Sequence, residues 1–179
     1  METIQVRDLK FVPMIKSDEI QKQVKRVAGE INRDLKGETP IFLSVLNGAF
    51  MFMADLMREI ELDCEVSFVR FASYQGTKST GKVKELVGLN EDIEGRVVVI
   101  VEDIIDSGIT MEHLLATLKK HNPKEIRVCS LLVKPDNLKV KLDIPYIAFN
   151  IPNDFILGYG LDYDGIARNL RDIYVLKED

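Results

Sequence analysis

Apolar residues recur at spacings of three and four through Ile20, Val24, Val27, Ile31 and Leu35, the stripe of a helix that buries one face. Ser17 is placed to cap this helix, Asp18 and Glu19 suit its first turn, and Gly37 ends it. Beyond Pro40 the pattern changes. Ile41–Leu46 reads as a short buried strand, Asn47-Gly48 as a tight turn, and Ala49–Ile60 as a second helix. Val66–Phe71 predicts another strand, followed by a polar stretch with two glycines from Ser73 to Lys82 and a return strand over Val83–Leu89. Val97-Val98-Val99-Ile100-Val101 is wholly β-branched, which suits a central strand buried on both faces. Met111, Leu114, Leu115 and Leu118 mark a helix that stops near Asn122-Pro123, and Ile126–Val133 is the next strand. In the remainder, punctuated by Pro135, Pro145 and Pro152, the best strands are Tyr146–Asn150 and Ile173–Leu176.

Strands alternating with helices predict an α/β fold, a mostly parallel twisted sheet flanked by helices with right-handed crossovers. The two ends of the chain break the alternation. They are expected to pack together as a small hood over the carboxyl edge of the sheet, where open α/β sheets bind ligands. The 179 residues therefore read as a single domain, with a core over about 17–134 and a hood from about 1–16 and 135–179.

A formal net charge of −5 argues against a nucleic-acid partner, since no basic excess is available to neutralise phosphates. A small phosphorylated ligand stays open, because backbone amides at a helix start can hold one phosphate. The apolar run from Leu46 to Leu56 is broken by Asn47, Gly48 and Asp55 and is too short and polar to span a bilayer. The N-terminus has neither a basic leader nor an apolar core segment, and Cys64 and Cys129 are expected to be reduced thiols. Together these features predict a cytoplasmic protein without a membrane partner.

The candidate chemistry is concentrated at Val101-Glu102-Asp103-Ile104-Ile105-Asp106-Ser107-Gly108-Ile109-Thr110. Three carboxylates emerge at the carboxyl end of the most β-prone run, and a small-residue turn then opens a helix. Ser107, Gly108 and Thr110 permit close approach of a phosphate and offer hydroxyl donors, while the helix adds unpaired amides and its dipole. Glu102 and Asp103 are better suited to sugar hydroxyls, directly or through hydrated magnesium.

This stretch resembles the phosphoribosyl pyrophosphate signature of the type I phosphoribosyltransferase family, and the resemblance extends over roughly residues 40 to 176. Ser130–Lys134, Ile151–Tyr163 and Arg168-Asn169-Leu170 are similar to the hypoxanthine-guanine phosphoribosyltransferase subfamily in particular. The resemblance implies transfer of a phosphoribosyl group to N9 of a 6-oxopurine, Mg2+ as cofactor, and a homodimer or homotetramer. It implies ribose and phosphate binding by Glu102, Asp103, Asp106, Ser107, Gly108, Ile109 and Thr110, with Asp106 as the catalytic proton acceptor near purine N7. Lys134, Phe155, Ile156 and Asp162 are the implied purine contacts. Asn47, Gly48, Ser73, Tyr74 and Arg168 are the implied pyrophosphate contacts, and Asp162, Glu102 and Asp103 the implied metal carboxylates. A closing loop is implied over Ser73–Lys82, and a cis peptide at Asn47-Gly48.

Three positions depart from the family pattern: Asn47 where a basic residue is common, Ile109 in the phosphate loop, and Asp154 before the stacking aromatic. His113 and His121 are expected on the surface. Three other readings compete for parts of this sequence. A receiver domain, with Asp143 as its phosphorylated aspartate, would leave too few residues for the remaining βα units. A regulatory phosphoribosyl pyrophosphate binder fits poorly beside Lys134, Phe155 and Asp162. The third rival is a transferase for another base, such as adenine, orotate or xanthine.

Overall fold

The computed structural model describes the backbone of residues 3–74 and 83–177 and, outside 71–87, the side chains. The elements in chain order are β1 (Ile4–Val6), β2 (Leu9–Ile15), α1 (Ser17–Asp34), β3 (Ile41–Val45), α2 (Phe50–Glu59), β4 (Glu65–Tyr74) and β5 (Val83–Val87). They continue with β6 (Val97–Ile105), α3 (Ile109–Lys119), β7 (Glu125–Val133), β8 (Tyr146–Asn150), β9 (Ile156–Leu157) and β10 (Ile173–Leu176).

Six strands form one sheet in the order β5-β4-β3-β6-β7-β8. All neighbours are parallel except β4 and β5, which pair antiparallel at the edge. The β-branched run sits at the centre, as its composition requires. Val97, Val99 and Val101 face the cluster that contains α1 and α2, while Val98 and Ile100 face the cluster under α3. A strand covered on both sides has no polar face to offer, so the period-two pattern disappears from its sequence. The α1 stripe is buried throughout, and Gly37, at φ 87°, takes the left-handed turn after it.

A second, antiparallel sheet runs β1-β2-β10-β9 and joins the two ends of the chain. The segment after residue 134, expected to belong with the hood, is divided. Tyr146–Asn150 completes the main sheet as β8, while β10 pairs with the N-terminal strand β2 and β9 pairs with β10. Ser17 does not cap α1; Lys16 occupies that position, and the Ser17 amide donates to Asp172 Oδ1 at 2.8 Å. Lys16 Nζ reaches the other oxygen of Asp172 at 2.9 Å, so one carboxylate fastens the hood to the start of the core.

His113 and His121 are exposed, and Cys64 and Cys129 are free thiols, the latter buried. No described helix is long and apolar enough to cross a membrane.

Candidate active site

β6 continues beyond the predicted strand to Ile105, so Glu102 and Asp103 belong to the ladder itself and not to the following turn. Alternation then sends them to opposite faces. Glu102 lines a cavity of about 170 Å³ with Ser107, Gly108 and Thr110. Asp103 lines another of about 240 Å³ with Lys134, Phe155, Ile156 and Asp162. Asp106, at the turn between strand and helix, lines both.

Glu102 is only 9% exposed. Burial pushes its carboxyl well above the usual carboxylate range, and the charge and hydrogen bond of Asp103 add to this. Burial raises Asp103 as well, against hydrogen bonds from its surroundings and the nearby Arg168 charge. The Asp103 amide donates to Glu102 Oε1 at 3.1 Å, and the Ile104 amide to Asp103 Oδ1 at 2.9 Å. Such a pair favours the protonated state until ligand donors or a cation replace the missing water.

On the small-cavity side, Gly108 precedes α3 at φ 79° and packs against 138–142. A Cβ there would lie 2.9 Å from both Leu142 and Val140. Glycine is thus required twice over, for the left-handed backbone and for the close approach. Ile109, the first residue of α3, is 54% exposed, so its side chain does not fill the phosphate loop.

The turn after β3 lies directly against Asp103. A Cβ on Gly48 would fall 1.6 Å from Asp103 Oδ2, so only a bare Cα fits. The cis peptide of this turn is Leu46-Asn47, one residue earlier than the Asn47-Gly48 bond expected from the family pattern. Gly160 closes the cluster from the other side, with its ideal Cβ position 2.1 Å from the Gly48 carbonyl oxygen. Arg168 Nη1 donates to the Gly160 carbonyl at 2.7 Å, and its Nη2 pairs with Asp162 Oδ1 at 2.7 Å. Gly48, Asp103, Gly160, Asp162 and Arg168 are therefore brought together in one cluster.

Lys134, at the end of β7, is 7% exposed, and its amide donates to the Ile105 carbonyl at 3.0 Å. Its Nζ stands 3.6 Å from Asp106 Oδ2. Phe155 is 42% exposed, and its ring is braced by Phe11, with centroids 5.9 Å apart, and edge-on by Tyr163 at 5.6 Å and 86°. Bracing by two rings leaves the exposed part of Phe155 as a fixed apolar surface at the cavity. Asp154 also lines this cavity, and Ile156, largely buried in β9, contributes to its wall. Ser73 and Tyr74 end β4, but their side chains, and the expected closing loop over 75–82, lie outside the described residues.

A divalent cation has hard oxygen ligands available here, though not as a protein cage. Among the described residues no three His, Cys, Asp or Glu side chains gather around one point. Glu102 and Asp103 leave on opposite faces, and Asp162 already accepts from Arg168 and from the Gly165 amide at 2.6 Å. These donors fit magnesium held by one or two carboxylates and completed by substrate oxygens.

Sequence reasoning missed Asn137, which donates from its side-chain amide to Asp106 Oδ1. The available signal was Lys134-Pro135-Asp136-Asn137, where proline at the first position favours a tight helical turn. It also missed the closure of the cluster by Gly160, for which two glycines around Tyr159 were the only hint.

Residues 15–164 match the family described as the phosphoribosyl transferase domain. The chain is 43% identical over 176 residues to hypoxanthine-guanine phosphoribosyltransferase of Mycobacterium avium, covering 94% of this chain and 86% of that protein. It is 40% identical over 167 residues to the bifunctional protein TilS/HprT of Listeria innocua, and spans only 26% of that relative's length. A solved hypoxanthine-guanine phosphoribosyltransferase from Bacillus anthracis superposes with a TM-score of 0.85 at 37% identity, covering 95% of this chain and 99% of that one. With the carboxylate pair, the glycine-gated helix start and the Lys134–Phe155 cavity arranged around one turn, the chain belongs to the hypoxanthine-guanine phosphoribosyltransferase family.

Proposed function

We propose that the protein transfers the phosphoribosyl group of phosphoribosyl pyrophosphate to N9 of hypoxanthine or guanine, giving IMP or GMP and pyrophosphate. The observation that carries this reading is the position of Asp106 on two cavities, one lined by Ser107, Gly108 and Thr110 at the start of α3 and the other by Lys134 and Phe155. The 5′-phosphate sits on the α3 amides with Ser107, Gly108 and Thr110, where the helix dipole adds to the hydrogen bonds. Glu102 and Asp103 accept from the ribose hydroxyls, which relieves two carboxylates otherwise stripped of water. The pyrophosphate lies by Asn47-Gly48 and Arg168. Asn47 is uncharged, so this turn contributes backbone amides and leaves the cationic contact to Arg168.

The base stacks on Phe155 and presents its 6-oxo oxygen to Lys134. An ammonium only donates, so it accepts a 6-oxo purine and rejects adenine's 6-amino group. As N9 bonds to C1 of the ribose, the C1–oxygen bond to pyrophosphate breaks and Asp106 takes the proton from N7. Its negative charge also steadies the oxocarbenium-like sugar. Asp162, together with oxygens of the substrate, would hold magnesium, which would supply charge neutralisation for the leaving pyrophosphate.

The same reading makes the chain one catalytic unit, with the β1-β2-β10-β9 sheet as a hood over the base. It also implies a homodimer or homotetramer, and a cytoplasmic enzyme whose two cysteines stay reduced. The test is to incubate the protein with magnesium, phosphoribosyl pyrophosphate and one purine at a time. Nucleotide is expected from hypoxanthine and guanine, and turnover of adenine alone would overturn the base assignment.

A further inference from the structure

We infer that Asn137 is a positioning residue for Asp106, and that it aims this carboxylate at the base. The inference rests on the proton-acceptor role given to Asp106 above and adds a residue to it. Asp106 is an exposed side chain in the bend between β6 and α3. Left alone, such a carboxylate samples several staggered rotamers, only some of which face the cavity.

Two groups from one neighbouring segment remove that freedom. The Asn137 side-chain amide donates to Asp106 Oδ1, and Lys134 Nζ stands 3.6 Å from Asp106 Oδ2. Lys134 directly precedes the 3₁₀ turn Pro135–Asn137, and Asn137 is its last residue. From either end of this short turn, the two side chains reach the two oxygens of the same carboxylate. The turn is fixed by Pro135, by the Asn137 amide on the Lys134 carbonyl at 3.1 Å, and by the Lys139 amide on the Ser107 carbonyl at 2.9 Å. Gly108 packs beneath it on Leu138, Val140 and Leu142.

The two contacts are not equivalent. Lys134 is needed by the base, so once a purine binds, its ammonium is shared with the 6-oxo oxygen. Asn137 lines neither cavity and has no such second duty. It is the contact that persists, gripping Oδ1 while Oδ2 stays on the Lys134 side, facing the base. An amide suits this task because it donates without adding a charge that would weaken the carboxylate as a proton acceptor.

The experiment is a rapid-quench measurement of single-turnover nucleotide formation, with KM for both substrates and melting temperature recorded alongside. Asn137→Ala, Asn137→Gln, Asp106→Asn and the double variant Asp106→Asn/Asn137→Ala are compared. Asn137→Ala is expected to slow the chemical step about tenfold to a hundredfold while each KM changes less than about threefold, because misaiming a catalytic group costs rate more than binding. Asn137→Gln, which keeps the amide, is expected to recover a substantial part of the loss. In the Asp106→Asn background the Asn137→Ala change is expected to cost less than about twofold, since two residues acting through one carboxylate are not additive. A normal single-turnover rate for Asn137→Ala would overturn the inference. So would an equal loss from Asn137→Ala in both backgrounds, which would mark a role independent of Asp106. If Asp106→Asn itself retains the full rate, the proton-acceptor reading fails instead, and that result is separable from the other two.

Discussion

Gly160 lies against the carbonyl of Gly48 so closely that a methyl group would sit 2.1 Å from the oxygen, and its φ of 103° suits glycine alone. The turn after β3 and the loop after β9 come from opposite ends of the chain, and this contact seats one on the other beside Asp103 and Arg168.

Gly160→Ala is therefore expected to destabilise the protein by roughly 2–4 kcal/mol, combining left-handed strain with a clash against backbone that cannot swing aside. That corresponds to a fall in melting temperature of about 5–15 °C by calorimetry. A melting temperature equal to that of the parent would show that the two loops are not packed as described.

Asp106→Asn removes the proposed proton acceptor but keeps the size of the side chain. Turnover with hypoxanthine is expected to fall about 10²- to 10⁴-fold, with KM for phosphoribosyl pyrophosphate nearly unchanged. A variant that instead lost binding and kept its turnover would place Asp106 among the ribose ligands only.

Lys134→Gln exchanges a group that can only donate for one that both donates and accepts. The preference for hypoxanthine over adenine, measured as a ratio of kcat/KM, is expected to narrow by about tenfold or more. Since Lys134 is buried, melting temperature must be followed in parallel. An unchanged ratio in a folded variant would detach Lys134 from base recognition.

The raised Glu102 carboxyl makes ligand-free stability depend on pH. A group whose pKa is higher folded than unfolded stabilises the fold below its unfolded pKa, and that contribution is lost as pH rises through the folded pKa. Glutamine is neutral throughout and keeps the oxygen that accepts from the Asp103 amide. Glu102→Gln is thus expected to match the parent near pH 4, below the ordinary glutamate value, and to melt higher than the parent at pH 8. A constant offset between the two proteins across that range would contradict the pH linkage.

Much of the scaffold was legible because its signals are local. The α1 stripe, the β-branched β6 and the turn glycines each announce an element without reference to the rest of the chain. The end of β6 was not legible. Glu102 and Asp103 are poor strand formers, yet their backbones pair with Ser130 and its neighbours on β7, and tertiary pairing overrides propensity. The placement of β8 was obscured for a related reason, since a short run between prolines says nothing about which sheet it will join. At the site, the resemblance singled out Asp106 and Lys134 separately, but their proximity depends on how the 3₁₀ turn docks on the 105–108 loop. Asn137 was invisible for the same reason: its function is a contact across the fold, not a pattern along it.

The strand β10 has a bearing on the order in which the protein becomes competent. β9 pairs with β10, the Leu176 amide donates to the carbonyl of Phe155, and Asp172 ties the approach to β10 onto α1. The proposed ribose and 5′-phosphate contacts lie within β6 to α3, whereas Phe155, the ring proposed to receive the purine, is braced by Phe11 and Tyr163 and tied to β10 through its carbonyl. During synthesis the loop before α3 can therefore assemble first, and the seat proposed for the purine is completed once β10 has emerged. A nascent chain halted between α3 and β10 would hold the donor's anchoring apparatus with no means of presenting it an acceptor.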